Sequence, residues 1–241
     1  MNPYLAEFIG TAMLILFGDG VVANVVLNKS KGNGGGWIVI ATGWGLAVML
    51  AAYSVGTISG AHLNPALTIA LAAIGKFDAA RVPGYLLAQF AGAMFGAVLV
   101  WLSYLPHWKE TPDPATKLAV FCTAPAIRAT VPNLICEAIG TAALVFGALA
   151  IPSSANLIVA GWATGFGPLL VGLLVFAIGL SLGGPTGYAI NPARDLGPRL
   201  AHALLPIAGK GGSDWGYAWI PIVGPLVGAL VGAFTYRLLF A

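Results

Sequence analysis

Six apolar runs of about 20 residues constrain this chain more than any other feature. They cover residues 4–27, 36–55, 83–105, 131–151, 157–182 and 217–240. Wound as helices, runs of that length match the ~30 Å hydrocarbon core of a bilayer. Only 8% of the residues are charged, against about 25% in a soluble domain, so the chain cannot clothe a water-exposed surface. That excludes an ordinary cytosolic enzyme and a disordered protein. A net charge of +3 without a basic cluster also excludes a nucleic-acid binder. The ten-residue alternating segments of a membrane barrel are missing, and the N-terminus lacks the basic start and short apolar core of a cleavable signal.

Much of the charge lies in connections, among them 28–35, 106–130 and 209–214. Two further segments, 57–74 and 183–205, are too apolar for solvent loops yet are broken by Gly, Pro and Asn. Each ends in a run too short to cross the core. Broken backbone at membrane depth is tolerated only where it is packed in protein or lines a water-filled cavity, so both read as re-entrant half-helices. Cys122 and Cys136 form no disulfide framework and read as small fillers.

The chain repeats itself. Glu7-Phe-Ile-Gly-Thr-Ala12 answers Glu137-Ala-Ile-Gly-Thr-Ala142, and Ser59-Gly-Ala-His-Leu-Asn-Pro-Ala66 answers Thr186-Gly-Tyr-Ala-Ile-Asn-Pro-Ala193. Gly92, Gly96 and Ala97 answer Gly224, Gly228 and Ala229. The first repeat covers about 1–110 and the second about 131–241. Three spans per half is an odd number, so the second half enters the bilayer in the opposite sense. Inverted repeats place a site at the midplane, between broken helices. The expected fold is therefore all-α: six transmembrane helices and two half-helices in one domain, 1–241. The glycine pairs give close-packing faces, read as contacts within the chain.

Asn64-Pro65-Ala66 and Asn191-Pro192-Ala193 carry the chemistry. Asn is a strong N-cap and Pro is favoured at the first helical position. Two inverted half-helices point their N-termini at each other, each with roughly half a positive charge. Each Asn also offers N–H donors. Such a point attracts the oxygens of neutral solutes, repels cations and opposes a proton wire. One Asn-Pro-Ala is a plain helix start; two at matching places in inverted repeats point to a pore.

With these motifs the sequence resembles the major intrinsic protein family, the aquaporins and glycerol facilitators, over nearly its whole length. It is most similar to the glycerol branch. Asp195 following Arg194 marks that branch, as does Pro221-Ile222 where water-selective members carry an aromatic pair. The resemblance implies a passive channel for glycerol and other small neutral solutes, also water, in the bacterial cytoplasmic membrane. Urea, dihydroxyacetone, hydrogen peroxide and protonated small acids are further candidate solutes. It implies a homotetramer in the lipid bilayer, a cytoplasmic N-terminus against the charge count of the connections, and no cofactor, metal or nucleic acid.

Within that resemblance Trp44, Gly179, Tyr188 and Arg194 form the selectivity filter. Trp44 and Tyr188 are apolar walls, Gly179 widens the lumen, and Arg194 is a fixed donor that excludes cations. Without the family, Trp44 reads as a packing or interfacial residue. Tyr188 replaces the Phe usual in the glycerol branch, and its hydroxyl either narrows the opening or adds a polar handle. Leu196 replaces another usual Phe, on a packing face. Glu7 and Glu137, buried in spans one and four, brace the two loops by accepting from their unpaired N–H groups. A proton relay through them lacks a third group. His62 reads as pore-lining or loop-bracing, His107 and His202 as surface or interface residues. Gly179-Leu-Ser181-Leu-Gly183 matches a hydrolase elbow in letters, but it ends an apolar span without a His/Asp pair, so no enzyme is expected. A coupled transporter is the stronger rival and needs an ion site.

Overall fold

The computed structural model describes residues 2–153, 156 and 162–240. Among the described residues it is entirely helical: α1 Pro3–Val26, α2 Trp37–Ser59, α3 Pro65–Ala73, α4 Val82–Ser103, α5 His107–Glu110, α6 Pro114–Phe121, α7 Thr130–Ala150, α8 Trp162–Leu182, α9 Pro192–Leu204 and α10 Ile220–Phe240. Six of these, α1, α2, α4, α7, α8 and α10, are long and apolar enough to cross a membrane. The start of the fifth apolar run, 157–161, lies outside the described residues.

Local chemistry sets the ends. Asn2 accepts from Tyr4 N at 2.9 Å ahead of Pro3, which starts α1. α2 runs on to Ser59, past the expected end at 55, because nothing breaks it before Gly60. There the backbone turns left-handed at φ 86°, a conformation glycine adopts without a Cβ clash. α3 has 9 residues and α9 has 13, so at 1.5 Å per residue neither spans the core. The polar connection 106–130 holds two short helices, α5 and α6, that no apolar run marks. Asp113 caps α6 by accepting from Ala115 N, Thr116 N and the Thr116 hydroxyl, ahead of Pro114.

The halves pack alike. α1 lies on α4, and α7 lies on α10. Gly92 and Gly96 bring α4 against α1, where an added Cβ would sit 2.3 Å from Phe8 O and 2.5 Å from Ala12 O. Gly228 and Gly232 do the same for α10 on α7, against Ala138 O and Ala142 O. The small-residue faces thus serve contacts within the chain. α2 meets α8 at Gly45 and Gly172, each facing the other's carbonyl. Each half-helix crosses over: α3 packs on α10 and α9 on α4. The outside is oily, with Leu87 and Leu238 among the exposed side chains, while Glu7, Asp19, Glu137, Arg194, Asp195 and Arg199 are enclosed. This inside-out distribution suits lipid, where polar groups must be satisfied internally.

Candidate functional site

The two loops ahead of α3 and α9 are built alike, residue for residue. Gly60, Ala61 and Leu63 take φ of 86°, 48° and 51°; Gly187, Tyr188 and Ile190 take 79°, 38° and 45°. Left-handed backbone at a non-glycine residue costs on the order of 1–3 kcal/mol, so something must hold it. Glu7 accepts from the Ser59 hydroxyl at 2.7 Å, His62 N at 2.9 Å, Leu63 N at 2.8 Å and Gln89 Nε2 at 2.7 Å. Glu137 accepts from the Thr186 hydroxyl at 2.7 Å, Ala189 N at 3.0 Å and Ile190 N at 2.9 Å. A hydrogen bond to a charged group contributes about 1.5–3 kcal/mol, enough to offset that strain.

The two Asn-Pro-Ala elements meet head-on. Asn64 Nδ2 donates to Ile190 O at 2.8 Å, and Asn191 Nδ2 donates to Leu63 O at 2.8 Å. Each Asn Oδ1 caps its own helix, Asn64 on Ala66 N at 2.9 Å and Asn191 on Ala193 N at 3.0 Å. This reciprocal exchange is what a two-fold relation demands. It puts both positive helix ends at one point.

A cavity of about 80 Å³ runs past that point. Asn64, Asn191, Trp44, Tyr188, Arg194 and His62 line it, with an apolar wall that includes Leu14, Val48, Leu144 and Val175. A wider cavity of about 450 Å³ adjoins it and shares Ala52, Ala61, His62, Leu67, Ala148 and Val171. At the Arg194 end, the guanidinium carbon lies 4.1 Å from the Trp44 ring centroid, a stacked cation–π contact. His62 Nδ1 pairs with the Thr68 hydroxyl at 3.1 Å.

Gly179 stands apart from the other filter candidates. It does not line the cavity; its open side is filled by the Tyr188 ring, and an added Cβ would lie 2.8 Å from Tyr188 Cζ and Oη. The Tyr188 hydroxyl is enclosed there without a hydrogen-bond partner, so it does not reach the lumen. Trp37 Nε1 donates to Gly179 O at 2.8 Å and fixes this corner.

The branch markers lie behind the cavity. Asp195 accepts from Thr123 N and Oγ1 at 2.8 and 2.7 Å and from Arg199 Nε at 2.8 Å. Arg199 in turn donates to Ser213 O and Thr123 O. Asp195 and Arg199 together staple two connections onto α9. Pro221 is buried in the first turn of α10 and occupies the place that Gln89 has in α4. It cannot donate, so Glu137 has one donor fewer than Glu7. Tyr85 donates to Ser59 O at 2.8 Å, whereas the hydroxyl of its counterpart Tyr217 is buried without a partner.

Three findings differ from the sequence reading. His202 is fully buried rather than at a surface, paired through Nδ1 with the Ser213 hydroxyl at 2.9 Å. Arg199 is a second enclosed arginine on α9. Asp19, fully buried on α1 and 3.6 Å from Arg194 Nη1, is a fourth buried carboxylate besides the two loop glutamates and Asp195. The signal for it was in plain view: a charge inside an apolar run, as at Glu7. Ser181 lies within helix α8 and not at a strand–turn–helix elbow. Among the described residues no group of three His, Cys, Asp or Glu side chains is placed to hold a metal ion.

Six membrane-length helices around two opposed half-helices define an integral membrane channel. A sequence model of the major intrinsic protein family matches residues 1–236, and the chain belongs to the major intrinsic protein family. It is 63% identical over 240 residues to the probable glycerol uptake facilitator protein of Thermotoga maritima, covering 100% of both. It is 57% identical over 240 residues to the glycerol uptake facilitator protein of Bacillus subtilis, covering 100% of this chain and 85% of that protein. The solved aquaglyceroporin from Plasmodium falciparum superposes with a TM-score of 0.87 at 31% identity, covering 99% of this chain and 96% of that one.

Proposed function

We propose that this protein is a passive channel for glycerol, other small neutral solutes and water across the bacterial cytoplasmic membrane, excluding ions and protons. The observation that carries the reading is the narrow cavity at the meeting of two capped helix ends, apolar on one wall and lined on the other by Asn64, Asn191 and Arg194. A polyol has those two sides: a carbon chain and a row of hydroxyls. Trp44 and Tyr188 face the carbon chain; Arg194 and the two Asn amides donate to hydroxyl oxygens. The same donors and helix ends repel cations. The names of the bacterial relatives support glycerol as the leading solute.

Glu7, Glu137 and His62 hold the loops, and Gly179 makes room for the Tyr188 ring. The halves, 1–110 and 131–241, act as inverted repeats of one domain, and four copies assemble in the bilayer with one pore each. The test is stopped-flow light scattering on proteoliposomes, under a glycerol gradient and then under an impermeant osmolyte. Fast, non-saturating glycerol entry without proton flux is expected. Saturable entry that follows a proton or sodium gradient would establish a coupled transporter instead, and water flux without glycerol entry would make the protein a water channel.

A further inference from the structure

In the second half of α1, beside the narrow end of the cavity, the chain reads Gly18-Asp19. The Trp44 ring is seated on Gly18, whose added Cβ would lie 2.2 Å from ring atom Cζ3. Asp19 is fully buried. Its Oδ1 lies 3.6 Å from Arg194 Nη1, beyond hydrogen-bond distance but within ion-pair reach. Neither Asp19 oxygen has a hydrogen-bond partner among the described residues, and neither does Arg194 Nη1. Arg194 lines the cavity; Asp19 does not. The guanidinium is thus divided: one amino group turns back into the protein toward Asp19, and its flat face lies on Trp44.

An enclosed carboxylate and an enclosed guanidinium amino group, each without a hydrogen-bond partner, are stable only as a pair. We propose that Asp19 is the counter-charge of the constriction: it draws Arg194 back against Trp44, and so sets both the width and the net charge that a passing solute meets. Gly18 seats one wall and Asp19 positions the other, so a single stretch of α1 fixes both. Asp19 has no counterpart in the second half, where Leu149 stands. It therefore belongs to the solute-selecting end and not to the repeated framework. Pairing leaves the narrow end without net charge, and cations are still opposed by the Arg194 donors that face the cavity and by the helix ends at Asn64 and Asn191. It also avoids the anion leak that a bare arginine would invite.

The inference rests on the channel reading, and the experiment separates the two, because wild-type glycerol entry tests the channel and the variants test Asp19. Asp19→Asn keeps the shape and removes the charge. In proteoliposomes we expect glycerol permeability to fall roughly five-fold or more, water permeability to change by less than about two-fold, and nitrate leak to rise. Arg194→Val alone leaves a lone buried carboxylate and lowers the unfolding temperature in detergent; adding Asp19→Asn restores it. Equal fractional losses of glycerol and water with no nitrate leak would reduce Asp19 to packing and overturn the proposal, as would strictly additive effects of the two substitutions. Glycerol entry that carries protons in the wild type and loses them in Asp19→Asn would overturn it too. If Asp19→Asn does not assemble, Asp19→Glu carries the test. The longer carboxylate pushes the guanidinium toward the lumen, lowering the glycerol-to-water ratio without a nitrate leak, and an unchanged ratio refutes the proposal.

Discussion

Gly179→Ala asks whether the Tyr188 ring sets the passage for glycerol. The new Cβ would sit 2.8 Å from Tyr188 Cζ and Oη and 3.1 Å from Ala41 Cβ. Ala41 belongs to helix α2 and cannot retreat alone. On another side the ring meets Trp37 edge-on, with centroids 5.8 Å apart. The remaining free direction is the cavity that Tyr188 lines. Regaining ordinary carbon contact at ~3.5 Å moves the ring inward by roughly half an ångström or more. Overpacking of one methyl group costs about 1–3 kcal/mol. A glycerol molecule that must press the ring back against that methyl takes the same energy into its barrier. At 1.36 kcal/mol per factor of ten, glycerol permeability falls by about five- to 150-fold.

Water needs less width, so its permeability falls far less and the glycerol-to-water ratio drops. Stopped-flow light scattering on proteoliposomes with matched protein content reads both fluxes. Adding Tyr188→Leu removes the clashing ring atoms and brings glycerol flux back. A folded Gly179→Ala protein with glycerol permeability within about two-fold of wild type would falsify the argument. Equal loss of both fluxes would mean a damaged fold rather than a narrowed passage.

Other perturbations follow from the same geometry. Tyr188→Phe removes a buried hydroxyl that has no partner, so the protein unfolds at the same or a higher temperature in detergent, gaining up to about 1–3 kcal/mol, while the flux ratio stays put; a shifted ratio would show that the hydroxyl reaches solute. Glu137→Gln and Glu7→Gln each put an amide where only acceptors fit, weakening charge-assisted bonds of about 1.5–3 kcal/mol apiece; thermal unfolding in detergent should fall further for Glu7, which has four donors against three, and wild-type stability in both would refute the bracing role. Arg194→Val leaves Asp19 as the net charge at the narrow end and admits protons or cations, read with a pH-sensitive dye inside the vesicles. Outside the bilayer, the Thr116 hydroxyl and the Thr116 and Ala115 N–H groups hold the Asp113 carboxyl below its ordinary value of 3.8. Its capping of α6 is therefore full above that value and is lost as pH falls through the lowered one, so amide exchange in 114–121 should speed up there relative to an Asp113→Asn protein.

Much of this architecture is legible in the sequence because lipid leaves the chain few options. A span must be a continuous apolar run, and 4–27 and 131–151 show as such without any structural knowledge. Asn-Pro is local chemistry, so the starts of α3 and α9 could be placed to the residue. What stayed hidden is pairing between residues far apart in the chain. Nothing in the spacing says that Gln89 reaches Glu7 or that Thr123 reaches Asp195. The space left by Gly179 could as well have opened to the lumen; only the fold shows the Tyr188 ring in it. His202 reads from the sequence as a surface or interface residue, yet that face of α9 lies under the connection at 213–214. Asp19 has no mate in the second half, where Leu149 stands, so the repeat does not mark it.

The repeat also explains why the passage has one narrow end. Gly45 and Gly172 face each other's carbonyls across the two-fold, as Asn64 and Asn191 do, so each residue of one half has an identifiable mate in the other. The mates of Trp44, Gly179, Tyr188 and Arg194 are Val171, Ala52, Ala61 and Leu67. All four of those mates line the wider cavity of about 450 Å³. Two aromatic rings and a guanidinium at one end are answered by a valine, an alanine and a leucine at the other. The symmetric residues, namely the capping asparagines, the glutamates and the left-handed loop positions, build a passage that would be equally wide on both sides. Four departures from symmetry close one side of it. On this account Leu67 and Arg194 mark the two ends of the same design, and a bulky side chain placed at Ala61 should create a second constriction: Ala61→Phe is expected to slow glycerol more than water. Unaltered glycerol flux in a folded Ala61→Phe protein would mean that the wide cavity is not part of the path.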